Sequence, residues 1–106
     1  MSSATYLVLY YLLTLNEDQR YGLEVIRKTG LPSGTVYPIL SRLEDGGLIE
    51  SWWKESPDRR PRRRMYRLTA KGEEHTREAR AALAPSTQGM IDLHGRNASP
   101  ATGGAG

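Results

Sequence analysis

Cysteine is absent from the 106 residues of this chain. Disulfides, thiolate metal sites and cysteine nucleophiles are thereby excluded, and the lack fits a cytoplasmic protein. Histidine is scarce, and His75 and His94 have no carboxylate or cysteine at metal-ligand spacing. No phosphate-binding loop or nucleophile elbow occurs. The carboxylate pairs Glu44 with Asp45 and Glu73 with Glu74 read as solvated helix faces. No catalysis, cofactor or metal is therefore expected. Long hydrophobic runs are missing too. The longest, Tyr6 to Leu15 broken only by Thr14, is about half a bilayer span. No positive residue precedes it and no small-residue cleavage site follows it. It is expected to be a buried helix, neither a membrane segment nor a secretory signal.

The chain is long enough for one small domain. A core of that size leaves much apolar surface uncovered, and sharing it with a second copy would help. The net charge of +3 is unevenly spread. Residues 1–58 carry five Lys/Arg against eight Asp/Glu, whereas residues 59–106 carry ten against four. A local basic patch points to a polyanion, nucleic acid before membrane.

Residues 3–15, with Ser2 or Ser3 as cap, are read as a first helix, although TYLVLYYLLTL would also suit a strand. A helix apolar all round must be covered all round, so one face is expected to pack on the domain and the other on a second chain. Asp18 is expected to cap a second helix, Arg20 to Thr29, with Leu23, Ile26 and Val25 on its apolar side. Gly30 sits where a left-handed residue ends a helix, and Leu31-Pro32 resets the chain. A third helix runs to about Asp45, capped by Ser33 or Thr35, with Val36, Leu40 and Leu43 inward. Pro38 fits the first turn if Thr35 is the cap and bends the helix if Ser33 is. Gly46-Gly47 stops it.

Two strands follow, Leu48 to Lys54 and Arg63 to Leu68, with Ile49 and Trp53 expected to meet Tyr66 and Leu68. Trp53 reads as core and Trp52 as rim packing or a pocket wall. The loop between, roughly Glu55 to Arg62, is too long for a tight turn. Thr69 can cap a fourth helix, Ala70 to Leu83, with a thin stripe of Thr76, Ala79, Ala82 and Leu83 suited to a helix–helix seam. Glu73 and Arg77 stand in the favourable i,i+4 order. Residues 1–84 form the domain. Residues 85–106, rich in Gly, Ser, Thr, Ala and Pro, read as a mostly disordered tail.

Helix, helix, short Gly-containing turn, capped helix, hairpin, helix is the order of a winged helix-turn-helix. The fold class is α+β, mainly helical, with three helices, a two-stranded wing and a C-terminal helix. In that arrangement the third helix enters the major groove. Six arginines, Arg59, Arg60, Arg62, Arg63, Arg64 and Arg67, fall within nine residues of the hairpin. Such a run either protects a sheet edge or meets a polyanion that relieves its self-repulsion. Arg42 is the one cation of the third helix, free for DNA or paired with Glu24, Glu44 or Asp45. Hydroxyls of Ser33, Thr35, Tyr37 and Ser41 and the free N–H groups of the helix start suit phosphates. Tyr37 reads equally well as a partly buried core aromatic.

The stretches RYGLEVIRKTG, LPSGTVYPILSRLEDGGLIESWW and RRRMYRLTAKG closely resemble the PadR family of transcriptional regulators, over about residues 5–83. The resemblance implies a homodimer and repression at a palindromic operator. It implies that Thr35, Tyr37 and Pro38 lie at the DNA-facing helix start, and the wing arginines over the minor groove. The expected DNA-binding set is Ser33, Gly34, Thr35, Tyr37, Pro38, Ser41 and Arg42 with Arg59, Arg60, Arg62, Arg63 and Arg64. The expected partners are double-stranded DNA and a second copy, through the first helix (Tyr6 to Leu15) and the fourth. Members that take flat aromatic ligands use a tryptophan on the last helix, and this one has none, which leaves a small-molecule effector open. The other reading is a winged-helix module that binds protein or RNA.

Overall fold

The computed structural model describes residues 2–56 and 59–83, with the side chains of Ser56, Arg59, Arg60 and Pro61 outside the description. The expected tail lies outside the described residues, as do Pro57 and Asp58 of the hairpin tip. Four helices and one hairpin follow in the order α1 (Ser3–Thr14), a 3-10 turn (Glu17–Gln19), α2 (Gly22–Thr29), α3 (Ser33–Asp45), β1 (Ile49–Ser56), β2 (Arg59–Leu68) and α4 (Ala70–Ala81). This is the winged helix-turn-helix that the sequence predicts.

α1 starts where Ser2 Oγ accepts the N–H of Thr5 at 3.1 Å. It runs through the middle of the domain, against α2, α3, α4 and β2. Tyr6, Leu7, Val8, Leu9, Tyr11, Leu12 and Leu15 are all buried within one chain. The expectation that one whole face needs a second chain is thereby corrected: elements of the same domain cover it. What stays half-covered is a narrow strip with Tyr10 and Leu13, apart from Ala4 at the helix start. Among the described residues no helix is long and apolar enough to cross a membrane.

The approach to α2 differs from expectation. Asp18 is in the 3-10 turn and does not cap α2, whose N-cap is Tyr21 in extended conformation. Tyr21 is extended because it bridges to Met65 as a one-residue third strand, and Arg20 C=O accepts the Tyr66 N–H at 2.8 Å. Val25 is fully buried and Ile26 packs half-buried against the core, as expected, but Leu23 is 69% exposed, so the inward side of α2 is Gly22, Val25, Ile26 and Thr29. Glu24 is buried on this helix beside Arg27, whose Nε donates to it at 3.1 Å. That hydrogen bond holds the Glu24 carboxyl below its usual range, against the opposing effect of burial. Gly30 ends α2 at φ 73°, a left-handed conformation that glycine adopts without cost.

α3 is capped by neither Ser33 nor Thr35. It begins at Ser33 with Pro32 as N-cap, whose C=O accepts from Thr35 and Val36 N–H at 2.9 and 3.0 Å. Pro38 is therefore the sixth helical residue, where it leaves the Gly34 carbonyl without its i+4 donor. Both residues are exposed, so water can serve that carbonyl. Val36, Ile39, Leu40 and Leu43 face the core.

The hairpin strands run further than expected, to Ser56 and from Arg59, so the expected Glu55 to Arg62 loop is mostly strand. Pairing is antiparallel, with Ile49 opposite Leu68, Ser51 opposite Tyr66, Trp53 opposite Arg64 and Trp52 opposite Met65. Trp53 is not core: it is 52% exposed. Alternation does put it on the Ile49 face, but the hairpin has left the body by that point.

The base of the wing is locked to α4. Thr69 Oγ1 accepts the Gly72 N–H at 3.0 Å and donates to Gly47 C=O at 2.7 Å. The Thr69 N–H reaches Leu48 C=O at 3.0 Å, and Lys71 Nζ reaches Gly46 C=O at 3.1 Å. A Cβ on Gly72 would lie 1.9 Å from the Leu48 carbonyl oxygen, so only glycine allows this approach. Glu73 and Arg77 pair at 3.7 Å on the outer face of α4.

Candidate nucleic-acid interface

α3 begins in solvent. Ser33, Gly34, Tyr37, Pro38, Ser41 and Arg42 are exposed and Thr35 is half-buried. No side chain caps the helix, so the first-turn N–H groups of Ser33 and Gly34 point outward without intrahelical partners, and the helix dipole adds partial positive charge there. Arg42 is in no ion pair among the described residues: Glu24 is taken by Arg27, and Glu44 by Ser51 and Arg64. Tyr37 is 43% exposed, yet its ring lies over Gly22 of α2. A Cβ at Gly22 would come within 2.5 Å of Tyr37 Oη. The missing side chain at Gly22 is thus what lets Tyr37 lie down between α2 and α3.

The wing stands beside this helix. Ser51 Oγ donates to Glu44 Oε2 at 2.6 Å, and Arg64 Nη2 is 3.8 Å from the same carboxylate. Glu44 therefore ties the third helix to the face of the hairpin that carries Trp53, Arg64 and Arg62. On that face the Arg62 and Arg64 guanidinium carbons lie 5.0 and 5.1 Å from the Trp53 ring centroid. Arg63 points to the other face, 4.2 Å over the Tyr21 ring. Arg67 stacks on Trp52 at 5.3 Å and pairs with Glu50 at 3.3 Å. Trp52, 40% exposed, also walls a cleft of about 370 Å³ with Lys54, Met65, Glu17 and Asp18. Arg59 and Arg60 belong to the backbone of β2, and their side chains lie outside the described residues.

The structure therefore brings Ser33, Gly34, Thr35, Tyr37, Pro38, Ser41 and Arg42 together on one helix, and Arg62 and Arg64 onto the adjoining wing face. Arg63 is set apart on the opposite face. Sequence reasoning missed Tyr21 as a platform, Gly22 as the seat of Tyr37, and Trp53 as an exposed ring. The alternation of Arg62 and Arg64 across from Trp53 was the available signal for the last.

Among the described residues no group of His, Cys, Asp or Glu could hold a metal ion. A family model described as "Transcriptional regulator PadR-like family" matches residues 11–78. No curated protein matches the chain. Among solved structures it is similar to a PadR-like transcription factor from Bacteroides fragilis, with 29% identity, a TM-score of 0.59 and coverage of 82% of this chain and 88% of that one. It is similar to a PadR-like transcriptional regulator from Bacillus cereus, with 28% identity, a TM-score of 0.58 and coverage of 88% and 87%. It also shares its fold with Bacillus subtilis PadR solved in complex with operator DNA, at 21% identity and a TM-score of 0.62, over 76% of this chain and 48% of that one.

Proposed function

This chain belongs to the PadR-like family of transcriptional regulators, and from that premise we propose that it is a sequence-specific repressor that binds a palindromic operator as a homodimer. The observation that carries the reading is the tie through Glu44, which sets the uncapped, exposed start of α3 beside the arginine face of the wing. The shared fold with a protein solved on operator DNA supports it. In this reading the Ser33 and Gly34 N–H groups take a phosphate. Thr35, Tyr37, Pro38, Ser41 and Arg42 face the major groove, and Arg59, Arg60, Arg62 and Arg64 reach the backbone and minor groove, with Arg63 adding its charge from the opposite face of the wing. The second copy docks on the half-covered strip of α1 (Tyr10, Leu13) and on α4 (Ala79, Leu83). No cofactor is required.

The test is fluorescence anisotropy with the DNA upstream of the chain's own coding sequence and with a scrambled duplex, over a salt series. Tight, salt-dependent binding that favours the native sequence, with a two-fold symmetric footprint, is expected. Absence of binding even at low salt would overturn the reading and leave a protein partner in its place.

A further inference from the structure

We propose that Trp53 is a positioning residue of the wing: its exposed ring holds Arg62 and Arg64 in the extended pose in which they meet DNA. The inference rests on the DNA-binding reading above. A tryptophan 52% exposed on a hairpin contributes little to the core. What it offers is an electron-rich face, and two guanidinium groups lie 5.0 and 5.1 Å from its centroid, inside the range of a cation–π attraction. Arg62 and Arg64 are like charges on one strand face and repel each other. The ring draws both to one place without neutralising either. Their ion pairs tether but do not fix them: Arg62 is 3.8 Å from Glu55, and Arg64 is 3.8 Å from Glu44, longer than a direct hydrogen bond.

The physical gain is preorganisation. A free arginine loses rotamer freedom when it binds a phosphate or enters a groove, and that loss weakens binding. Stacking on Trp53 imposes part of the loss before DNA arrives. The neighbouring Trp52 supplies an internal contrast. It carries Arg67 on the other face of the hairpin, where Glu50 already pairs with the guanidinium at 3.3 Å. An arginine so occupied is not held in readiness.

The experiment compares Trp53→Leu, Trp53→Tyr and Trp52→Leu in the full chain by anisotropy, with melting temperatures to confirm folding. Trp53→Leu is expected to weaken binding to the upstream DNA roughly five- to thirty-fold, the worth of two exposed cation–π pairs. Trp53→Tyr, which keeps a ring face, should recover most of it, and Trp52→Leu should leave affinity within about two-fold, since the pair it breaks faces away from α3. In an Arg62→Ala, Arg64→Ala background, Trp53→Leu should cost nothing further. In the free protein, nitrogen relaxation at Arg62 and Arg64 Nε should show greater mobility in Trp53→Leu. Wild-type affinity in Trp53→Leu, or an equal loss in the Arg62→Ala, Arg64→Ala background, overturns the inference while leaving the DNA-binding reading intact. A wild-type chain that fails to bind DNA overturns both.

Discussion

Two glycines have opposite meanings. At Gly72 a methyl group would collide with the Leu48 carbonyl at 1.9 Å, and backbone cannot swing away. Gly72→Ala should cost roughly 2–3 kcal/mol, a drop of roughly 10–20 °C in melting temperature for a domain of this size. At Gly34 a Cβ meets nothing within 4 Å, so Gly34→Ala should gain about 0.5–1 kcal/mol of helix stability. Operator affinity should fall in the same variant, because the added methyl stands where the backbone is proposed to approach phosphate. A gain in both quantities would show that DNA does not come that close. Glu24 gives a pH signature. Its carboxyl is held below the usual 4.5 by the Arg27 hydrogen bond, so it binds a proton less readily folded than unfolded. Its stabilising effect is complete above the unfolded value and is lost as pH falls through the depressed one. Glu24→Gln should therefore melt lower than wild type at neutral pH, with the gap closing on acidification. A gap independent of pH would mean that only packing was changed.

Between α2 and α3 the pair to probe is Gly22 against Tyr37. Gly22→Ala displaces the far end of a ring that is already 43% exposed. The expected result is a small change in melting temperature with a clear loss of discrimination between operator and scrambled DNA. For the wing, replacing Arg62, Arg63 and Arg64 by Ala should weaken binding to both duplexes alike and lower the salt slope by about 0.9 for each phosphate no longer neutralised. Equal effects of this variant and of Thr35→Ala on specific and random DNA would contradict a division of labour between wing and helix. Much of this was legible in the sequence. Gly30 marks the end of α2, period-3.6 apolar residues and Gly46-Gly47 mark α3 and its C-terminal limit, and Thr69 announces α4. The misreadings share a cause. Tyr21 is extended because it lies opposite Met65, more than forty residues away, beside the bond from Tyr66 N–H to Arg20 C=O, and no local pattern carries that, so Asp18 looks like a cap in the sequence. Period-2 alternation puts Trp53 on the right face, but it gives the face and not the depth. Ile49 and Leu68 sit in the body of the domain, and one pair beyond Tyr66 the same face is in water.

The whole molecule answers the question that α1 raised. Composition could say that an all-apolar helix needs cover on every side, but not that four other elements of one domain would provide nearly all of it. The assembly reading therefore rests on a thin strip, and it is open to a small perturbation. Leu13→Glu should turn a sedimenting dimer into a folded monomer at micromolar concentration and weaken binding to a full operator far more than to a half-site. A dimer that survives this change would move the seam elsewhere. The junction at Leu48 has one further consequence. Thr69, Lys71 and Gly72 clasp the carbonyls at which α3 ends and β1 begins, so α3, the wing and α4 share a single junction. On the proposed function, a change in the tilt of α4 would carry α3 and the wing with it as one body.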